Sequence, residues 1–243
     1  PDGLALVVSD GRRWSWRQLA AEVERVREDS PGTDAGSKPS RTVAMIDASS
    51  SPESVFRILA SIEDRVPFAP IDPRLPDREI RARRALLATD SDAMAILFTS
   101  GSTGRPRGVE LSRAAFVASA RASAERLGWR DVDRWLCVLP MAHVGGLSIL
   151  TRSLGARRTI VLAERFDVEA VVDLIEREQV TLISLVPTML ARLLESGHLG
   201  ASETRFDTIR AILVGGAAAP DAMWDEAIGR GLPVLETWGM TET

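Results

Sequence analysis

Ten consecutive residues, 99–108, carry groups that suit the binding of phosphate oxygens. The segment reads TSGSTGRPRG and contains four hydroxyls and two guanidinium groups. Glycines let backbone N–H groups approach a ligand closely, hydroxyls donate further hydrogen bonds, and arginine matches the geometry of phosphate oxygens. The apolar residues 95–98 come directly before it and predict a buried strand. This combination predicts a cradle for a triphosphate.

Two alternatives to the phosphate cradle can be weighed from the same residues. A flexible surface turn would have a similar content of glycine, serine, threonine and proline. A Walker loop is excluded, because no Gly-Lys-Ser/Thr sequence closes the segment. Four hydroxyls directly after a buried strand favour the phosphate cradle over the surface turn.

Alternating strand and helix patterns predict α/β architecture, with layered, mostly parallel sheets flanked by helices. In such sheets ligands lie beyond the carboxyl ends of the strands. Five segments with suitable chemistry follow predicted strands, and we expect them to line one cleft at one sheet edge. These segments are residues 99–104, 140–143, 186–188, 215–217 and 238–242.

The five segments would supply phosphate donors, a lone histidine, an apolar wall and one carboxylate. A single carboxylate suits Mg²⁺, because phosphate oxygens can supply the remaining ligands. Each residue taken singly also has a structural explanation. His143 could be a satisfied structural histidine, Gly215-Gly216 a tight turn, and Glu242 solvated surface.

The elements that must position these segments have clear local signals. Residues 4–15 predict a hairpin that turns at Asp10-Gly11, and Ser15 is placed to cap the helix that follows. Ser112 is placed to cap a helix that runs to about Leu127. Further helices are predicted from Pro52, over residues 77–87 and over residues 167–180, while the polar residues 30–40 predict a mobile loop.

Composition is that of a globular enzyme. With 243 residues, 45% of them hydrophobic, the chain can bury a substantial core. A net charge of −4 argues against a nucleic-acid partner. Cys137 excludes an internal disulfide and is expected to be a buried, inert thiol. No apolar stretch approaches the length of a membrane span and no secretory signal begins the chain, so a cytoplasmic location is predicted.

Together the motifs resemble the adenylate-forming superfamily of acyl-CoA synthetases, luciferase-like enzymes and peptide-synthetase adenylation domains. Residues 99–108 are similar to its phosphate loop, Thr-Ser-Gly-Ser/Thr-Thr-Gly-x-Pro-Lys-Gly. Residues 238–242, WGMTE, are similar to its aromatic-Gly-x-Thr-Glu motif, and residues 215–220, GGAAAP, to its adenine-side loop. The resemblance spans essentially the whole chain. It implies that residues 1–243 form most of the N-terminal large domain, as two α/β subdomains, without the small C-terminal lid domain.

One branch of the superfamily is most similar. Residues 139–153, LPMAHVGGLSILTRS, resemble the corresponding segment of the o-succinylbenzoate–CoA ligases of menaquinone biosynthesis. This resemblance implies ATP, Mg²⁺ and coenzyme A as cofactors and a small carboxylic acid as substrate. The acid attacks the α-phosphate of ATP, pyrophosphate leaves, and the coenzyme A thiol then displaces AMP. Another aryl- or acyl-CoA ligase, or a noncatalytic nucleotide- or acyl-binding module, stays open, as does a homodimer.

The resemblance assigns roles to individual residues. Residues that would hold the β- and γ-phosphates are Thr99, Ser100, Gly101, Ser102, Thr103, Gly104 and Arg107. Residues that would lie along the adenine and the α-phosphate are Gly215, Gly216, Ala217, Ala218, Glu236, Thr237, Trp238, Gly239 and Met240. The catalytic residues would be Thr241, donating to the α-phosphate, Glu242, binding Mg²⁺, and His143. The acid would lie against His143, Gly145, Gly146, Leu147, Val186 and Pro187.

Arg152 is predicted to bind the second carboxylate of succinylbenzoate. A buried arginine needs an anionic partner, and a dicarboxylate keeps one carboxylate free after activation. A structural or solvated arginine is an equally good explanation of the sequence.

The chain departs from the family pattern in four places. Arg107 replaces the usual lysine and Trp238 the commoner tyrosine. The segment between Leu75 and Ala93 is shorter than in typical members. The sequence also stops at Thr243, before the family's ribose-binding aspartate, hinge and C-terminal lysine, so we expect a fragment with severely slowed adenylation and no thioester formation.

Overall fold

The computed structural model describes residues 2–29, 43–87, 92–100, 106–198 and 206–242. Residues 101–105, in the predicted phosphate segment, and the predicted loop at residues 30–40 lie outside these ranges. The strands are β1 (Leu4–Val8), β2 (Arg13–Ser15), β3 (Ala44–Asp47), β4 (Phe68–Ile71), β5 (Ala93–Ser100), β6 (Pro106–Ser112), β7 (Arg134–Cys137), β8 (Thr159–Leu162), β9 (Leu182–Leu185), β10 (Ala211–Val214) and β11 (Val234–Glu236). The helices are α1 (Trp16–Asp29), α2 (Pro52–Glu63), α3 (Asp77–Arg84), α4 (Arg113–Leu127), α5 (Val144–Ala156), α6 (Val168–Glu178), α7 (Pro187–Glu195) and α8 (Asp221–Gly229).

Seven strands form sheet A, in the order β11-β10-β9-β7-β8-β1-β2. Neighbours are parallel except for β1 and β2, which form the predicted antiparallel hairpin. The carboxyl ends of β7, β9, β10 and β11 therefore lie at the same end of the sheet. We call the segments that follow these four strands, residues 139–143, 186–188, 215–219 and 237–242, the site edge.

Four strands form sheet B, in the order β3-β4-β5-β6. Strands β3, β4 and β5 are parallel, and β6 is antiparallel to β5 from Ala93↔Ser112 to Ser100↔Pro106. The sequence prediction of a loop through residue 108 was wrong, because residues 106–112 form this strand. The expected single sheet edge was also wrong, since Thr99 and Ser100 end strand β5 of sheet B, whereas the other four segments follow strands of sheet A.

The core joins the two sheets. One buried cluster contains Leu6 and Trp135 of sheet A together with Phe68 and Leu97 of sheet B, and helices α1, α2, α4 and α5 contribute to it. Helices α6, α7 and α8 cover the other face of sheet A. Helix α3 and its flanks pack on the other face of sheet B. The predicted α/β class with mostly parallel, layered sheets is confirmed, while the subdomain boundary stays a prediction.

Three helices begin where the sequence predicts. The Gln18 backbone N–H donates to the Ser15 Oγ at 3.3 Å, and the Ser15 N–H donates to the Gln18 side-chain oxygen at 2.8 Å, which is a capping box. Ser112 accepts from the Ala115 N–H at 3.1 Å. Pro52 occupies the first turn of α2. Across the described ranges, no helix combines the length and the apolar character that a bilayer crossing requires.

Candidate functional site

Three neighbouring strand ends at the site edge are tied together by backbone hydrogen bonds. The Gly215 N–H donates to the Leu185 carbonyl at 3.1 Å, which links the ends of β9 and β10. The Thr237 N–H donates to the Val214 carbonyl at 2.8 Å, and the Thr237 hydroxyl donates to the same oxygen at 3.1 Å. The segments after β9, β10 and β11 therefore lie side by side, as the sequence predicts.

Glycine is required where the segments after β10 and β11 meet. A Cβ on Gly215 would lie 2.2 Å from the Thr237 Oγ1 and 2.5 Å from the Thr237 carbonyl oxygen. Gly216 has a φ of +84° and lies next to Val186. Beyond it, Ala217 and Ala218 are exposed and small. The result is an open surface of backbone and methyl groups, which suits a flat ring.

The segment after β11 presents exposed groups at this edge. The Trp238 side chain is 83% exposed, so its indole face is available for stacking on a planar ligand. Met240 is also exposed, and Thr241 and Glu242 follow in a turn. Within the described ranges there is no cluster of three or more histidine, cysteine or carboxylate side chains that could hold a metal. A lone Glu242 carboxylate fits Mg²⁺ only if a ligand's phosphates supply most of the coordination.

His143 stands at the start of α5, directly after the turn that follows β7. Its carbonyl accepts the Leu147 N–H at 3.0 Å, while its side chain makes no capping bond and is exposed. A Cβ on Gly146 would lie 2.4 Å from the Pro140 carbonyl oxygen, so glycine lets the first turn of α5 pack on the strand end. The buried Cys137 thiol lies under this turn, and burial raises its pKa to about 12, as expected for an inert thiol.

Charged residues on the sheet B side influence the pKa of His143. The His143 side chain keeps exposed surface, but the surrounding protein removes part of its solvation, which lowers its pKa. The positive charges of Arg83 and Arg74 lower this pKa further, against the opposing effect of Asp72. Arg74 donates to both Asp72 carboxylate oxygens, at 2.9 and 2.7 Å, and these bonds lower the pKa of Asp72. Desolvation and the two arginines therefore favour the neutral form of the His143 imidazole. Sequence reasoning missed these three residues, although Asp72 and Arg74 come shortly after the end of β4.

The described part of the phosphate segment is the end of a hairpin. Thr99 and Arg107 are register partners across β5 and β6, so their side chains share one face of sheet B. Ser100 pairs with Pro106, and its side chain is not described. Gly101, Ser102, Thr103 and Gly104 lie outside the described residues.

The structure does not bring all predicted acid-binding residues to the site edge. Val186 and Pro187 lie there, with Val186 beside Gly216. Leu147 is fully buried in the core and presents no surface to a ligand, because it lies on the face of α5 that packs inward.

Arg152 lies in the third turn of α5 and faces α4 instead. It lines a cavity of about 480 Å³ with mostly apolar neighbours, including Phe116, Trp129 and Leu154. Its Nη2 donates to the Ser119 hydroxyl at 3.0 Å, while its buried Nε has no hydrogen-bond partner among the described residues. Burial lowers the pKa of Arg152.

A second cavity, of about 950 Å³, lies at the opposite end of sheet A, at the amino ends of β1, β7, β8 and β9. Its arginines are partly committed to acidic partners. Arg210 donates to the buried Asp133 at 2.8 and 2.6 Å, and Thr181 donates to Asp133 at 2.9 Å. This end of sheet A is a structural ion-pair region, and the predicted site residues lie at the opposite end, at the site edge.

Comparison with known proteins gives three kinds of match. Residues 83–243 match the AMP-binding enzyme family. The 2-succinylbenzoate–CoA ligase of Bacillus pumilus is 45% identical over 148 residues, which are 61% of this chain and 29% of that protein. The Bacillus cereus (strain Q1) protein of the same name is 43% identical over 152 residues, 63% of this chain and 31% of that one. The chain thus matches about a third of the length of these relatives.

Solved structures show the same fold. The o-succinylbenzoate CoA synthetase (MenE) of Bacillus subtilis in complex with ATP and magnesium ion superposes with a TM-score of 0.84 at 29% identity, covering 100% of this chain and 58% of that one. Its complex with the acyl-adenylate intermediate OSB-AMP gives a TM-score of 0.85 at 30% identity, covering 100% and 57%.

Proposed function

Because the chain belongs to the AMP-binding enzyme family, we propose that it forms the nucleotide- and acid-binding part of an o-succinylbenzoate–CoA ligase. The observation that carries this proposal is the joined site edge. There the two motif segments that follow β10 and β11 are held in contact by the Gly215–Thr237 approach. The choice of o-succinylbenzoate as the acid and coenzyme A as the thiol follows from the names of the relatives.

The proposed reaction has two steps. The carboxylate of the acid attacks the α-phosphate of ATP and expels pyrophosphate, and the coenzyme A thiol then attacks the acyl-adenylate and expels AMP. Thr241 would donate a hydrogen bond to the α-phosphate, and Trp238 with the Gly215–Ala218 surface would flank the adenine. Arg107 and Thr99, on one face of the hairpin, would hold phosphate oxygens of the leaving pyrophosphate.

The same proposal includes Mg²⁺, coenzyme A, a homodimeric state and a cytoplasmic location. Mg²⁺ would be held by Glu242 and by the phosphates, and when bound it would neutralise charge on them. Coenzyme A would be the second substrate. A homodimer and a cytoplasmic location are also proposed, and size-exclusion chromatography with light scattering and cell fractionation would test them.

Arg152 is the proposed anchor for the free carboxylate of the acid, and its cavity lies between α4 and α5, away from the site edge. Its guanidinium lies in an apolar cavity, and its Nε has no partner among the described residues, so an anion would satisfy a group that is costly to leave unpaired. An aromatic dicarboxylate combines such an anion with a ring that apolar walls can cover.

Isothermal titration of this chain with MgATP and with o-succinylbenzoate tests the proposal. We expect both to bind, and Arg152→Ala to weaken binding of the acid by about tenfold or more without changing the affinity for MgATP. Arg126→Ala is the matched control, because Arg126 is an exposed arginine on α4 that is not among the residues lining this cavity.

The outcomes separate the alternatives. Unchanged acid binding in Arg152→Ala would refute the assignment of Arg152 as the anchor. Binding of the acid with no binding of MgATP would refute the adenylating function of this chain and favour an acyl-binding module.

A further inference from the structure

The cavity at the amino end of sheet A, which we call the basic cavity, carries an excess of positive charge. Its volume of about 950 Å³ lies within the range of small-molecule sites, about 300–1,000 Å³. Gly3 and Gln179 line it and are exposed, so solvent and small solutes reach it. Five arginines against two aspartates leave an excess of three positive charges among the lining residues Arg130, Arg134, Arg157, Arg158, Arg210, Asp131 and Asp133.

The more buried arginines of the basic cavity belong to a satisfied ion-pair network. Arg210 donates to the buried Asp133 at 2.8 and 2.6 Å and to two backbone carbonyls. Arg134 donates to the Glu178 carbonyl at 2.9 Å. These two arginines therefore have little hydrogen-bonding capacity left for a ligand, and their role is to hold the wall of the cavity.

The more exposed arginines of the basic cavity keep unused capacity. Arg130 and Arg157 are exposed, and neither has an acidic partner within the described ranges. The Arg157 Cζ lies 5.3 Å from the centre of the Trp16 ring, a contact that positions the guanidinium without neutralising its charge. Arg158 pairs with Asp131 at 2.8 Å, but the Asp131 side chain is 97% exposed, and such a pair contributes little in water. Three guanidinium groups are thus available to an anion.

Helix ends account for only part of this charge. Helices α5 and α6 end at this side of sheet A, where Arg157 and Gln179 follow their last residues. Each helix end carries about half a negative charge, so the two ends offset about one of the three positive charges. The nearby Glu178 carboxylate has its own partners in Arg13 and Arg177, at 2.8 and 3.1 Å. A positive charge of about two therefore remains for a multivalent anion to neutralise.

We propose that the basic cavity is an anion site that binds the phosphate chain of a small molecule through Arg130, Arg157 and Arg158. A guanidinium donates two parallel hydrogen bonds to phosphate oxygens, and a chain of phosphates offers oxygens to several arginines at once. The basic cavity and the site edge lie at opposite ends of sheet A, so this ligand is separate from the substrates of the proposed reaction.

Titration calorimetry with inorganic tripolyphosphate and with uridine triphosphate, both without Mg²⁺, tests the proposal. The test variant combines Arg130→Met with Arg157→Met, and each single substitution is measured as well. The charge-matched control combines Arg57→Met with Arg81→Met, because both arginines are exposed, on α2 and α3, and neither lines the cavity. Arg107→Met reports binding at the hairpin of β5 and β6. Thermal unfolding of every variant separates loss of binding from loss of fold.

We expect the test variant to bind tripolyphosphate about tenfold or more weakly, each single variant to lose less, and the charge-matched control to match the wild type. Tighter binding of uridine triphosphate than of tripolyphosphate would identify a nucleotide as the ligand, and weaker binding would identify a free phosphate chain. Equal losses in the test and control variants, a loss confined to Arg107→Met, or no binding by the wild type would overturn the proposal. None of these results bears on acid binding or MgATP binding at the site edge.

Discussion

Replacing Gly215 with alanine perturbs the contact on which the site edge depends. The new Cβ would lie 2.5 Å from the Thr237 carbonyl oxygen and 2.2 Å from its Oγ1. Ordinary contacts begin near 3.4 Å, so the Thr237 carbonyl must retreat by about 0.9 Å. Rotation of the Thr237 side chain relieves only the shorter of the two contacts, since the carbonyl belongs to the backbone.

The cost of this movement can be bounded. Overpacking of this kind costs about 1–3 kcal/mol. The retreat also strains the two hydrogen bonds from Thr237 to the Val214 carbonyl, which contribute about 1 kcal/mol each. We therefore expect Gly215→Ala to lower the free energy of unfolding by about 2–4 kcal/mol. Affinity for MgATP should fall about tenfold, because the segment carrying Trp238 is displaced.

Urea unfolding and titration calorimetry measure the two effects. Gly229→Ala is the matched control, because Gly229 ends α8 without a positive φ and its added methyl carbon would meet no other part of the described chain within 4 Å. Alanine there should be neutral or stabilising by up to about 1 kcal/mol. Gly215→Ala with wild-type stability and wild-type MgATP affinity would refute the close approach of the two segments.

Three further predictions concern the surroundings of the site. Asp133→Ala should cost about 3–5 kcal/mol in urea unfolding, because it strands the Arg210 guanidinium. Burial alone would raise the pKa of Asp133, but the hydrogen bonds from Arg210, the Arg130 N–H and Thr181 lower it. The ionised Asp133 therefore stabilises the fold fully above about pH 4, and this stabilisation is lost as pH falls through the native pKa. Unfolding curves from pH 7 to pH 2 would show this loss in the wild type and its absence in Asp133→Ala. Cys137 should react with a thiol reagent at pH 8 only after unfolding, and fast native labelling would contradict its burial. Gly146→Ala should lower the thermal midpoint by several degrees, whereas Gly145→Ala, whose methyl meets only the Leu139 side chain, should change it little.

Local signals explain why most of the fold could be predicted. Side-chain caps at Ser15 and Ser112 and the proline at the start of α2 act within one turn, so the sequence contains them in full. Strand β6 was missed because an edge strand that begins Pro-Arg-Gly has the composition of a loop. The pairing of β6 with β5 is a tertiary interaction, which the structure shows and the local sequence does not.

The site was predictable along sheet A and not across the two sheets. Parallel strands place their ends together, so the grouping of residues 186–188, 215–217 and 238–242 follows from topology alone. The effect of Arg83 and Asp72 on the pKa of His143 depends on how sheet B stacks on sheet A, which no local pattern encodes. The side of α5 on which Arg152 lies depends in the same way on packing against α4.

An acyl-adenylate mimic must occupy the nucleotide surface and the acid site together, so its binding directly tests the proposed ligase function of this chain. The measurement is the affinity of this chain for the sulfamoyl analogue of o-succinylbenzoyl-AMP, compared with the benzoyl analogue that lacks the second acid group. We expect tighter binding of the o-succinylbenzoyl compound, with the difference abolished by Arg152→Ala. Equal affinity for the two compounds, or binding of neither, would contradict the proposed function.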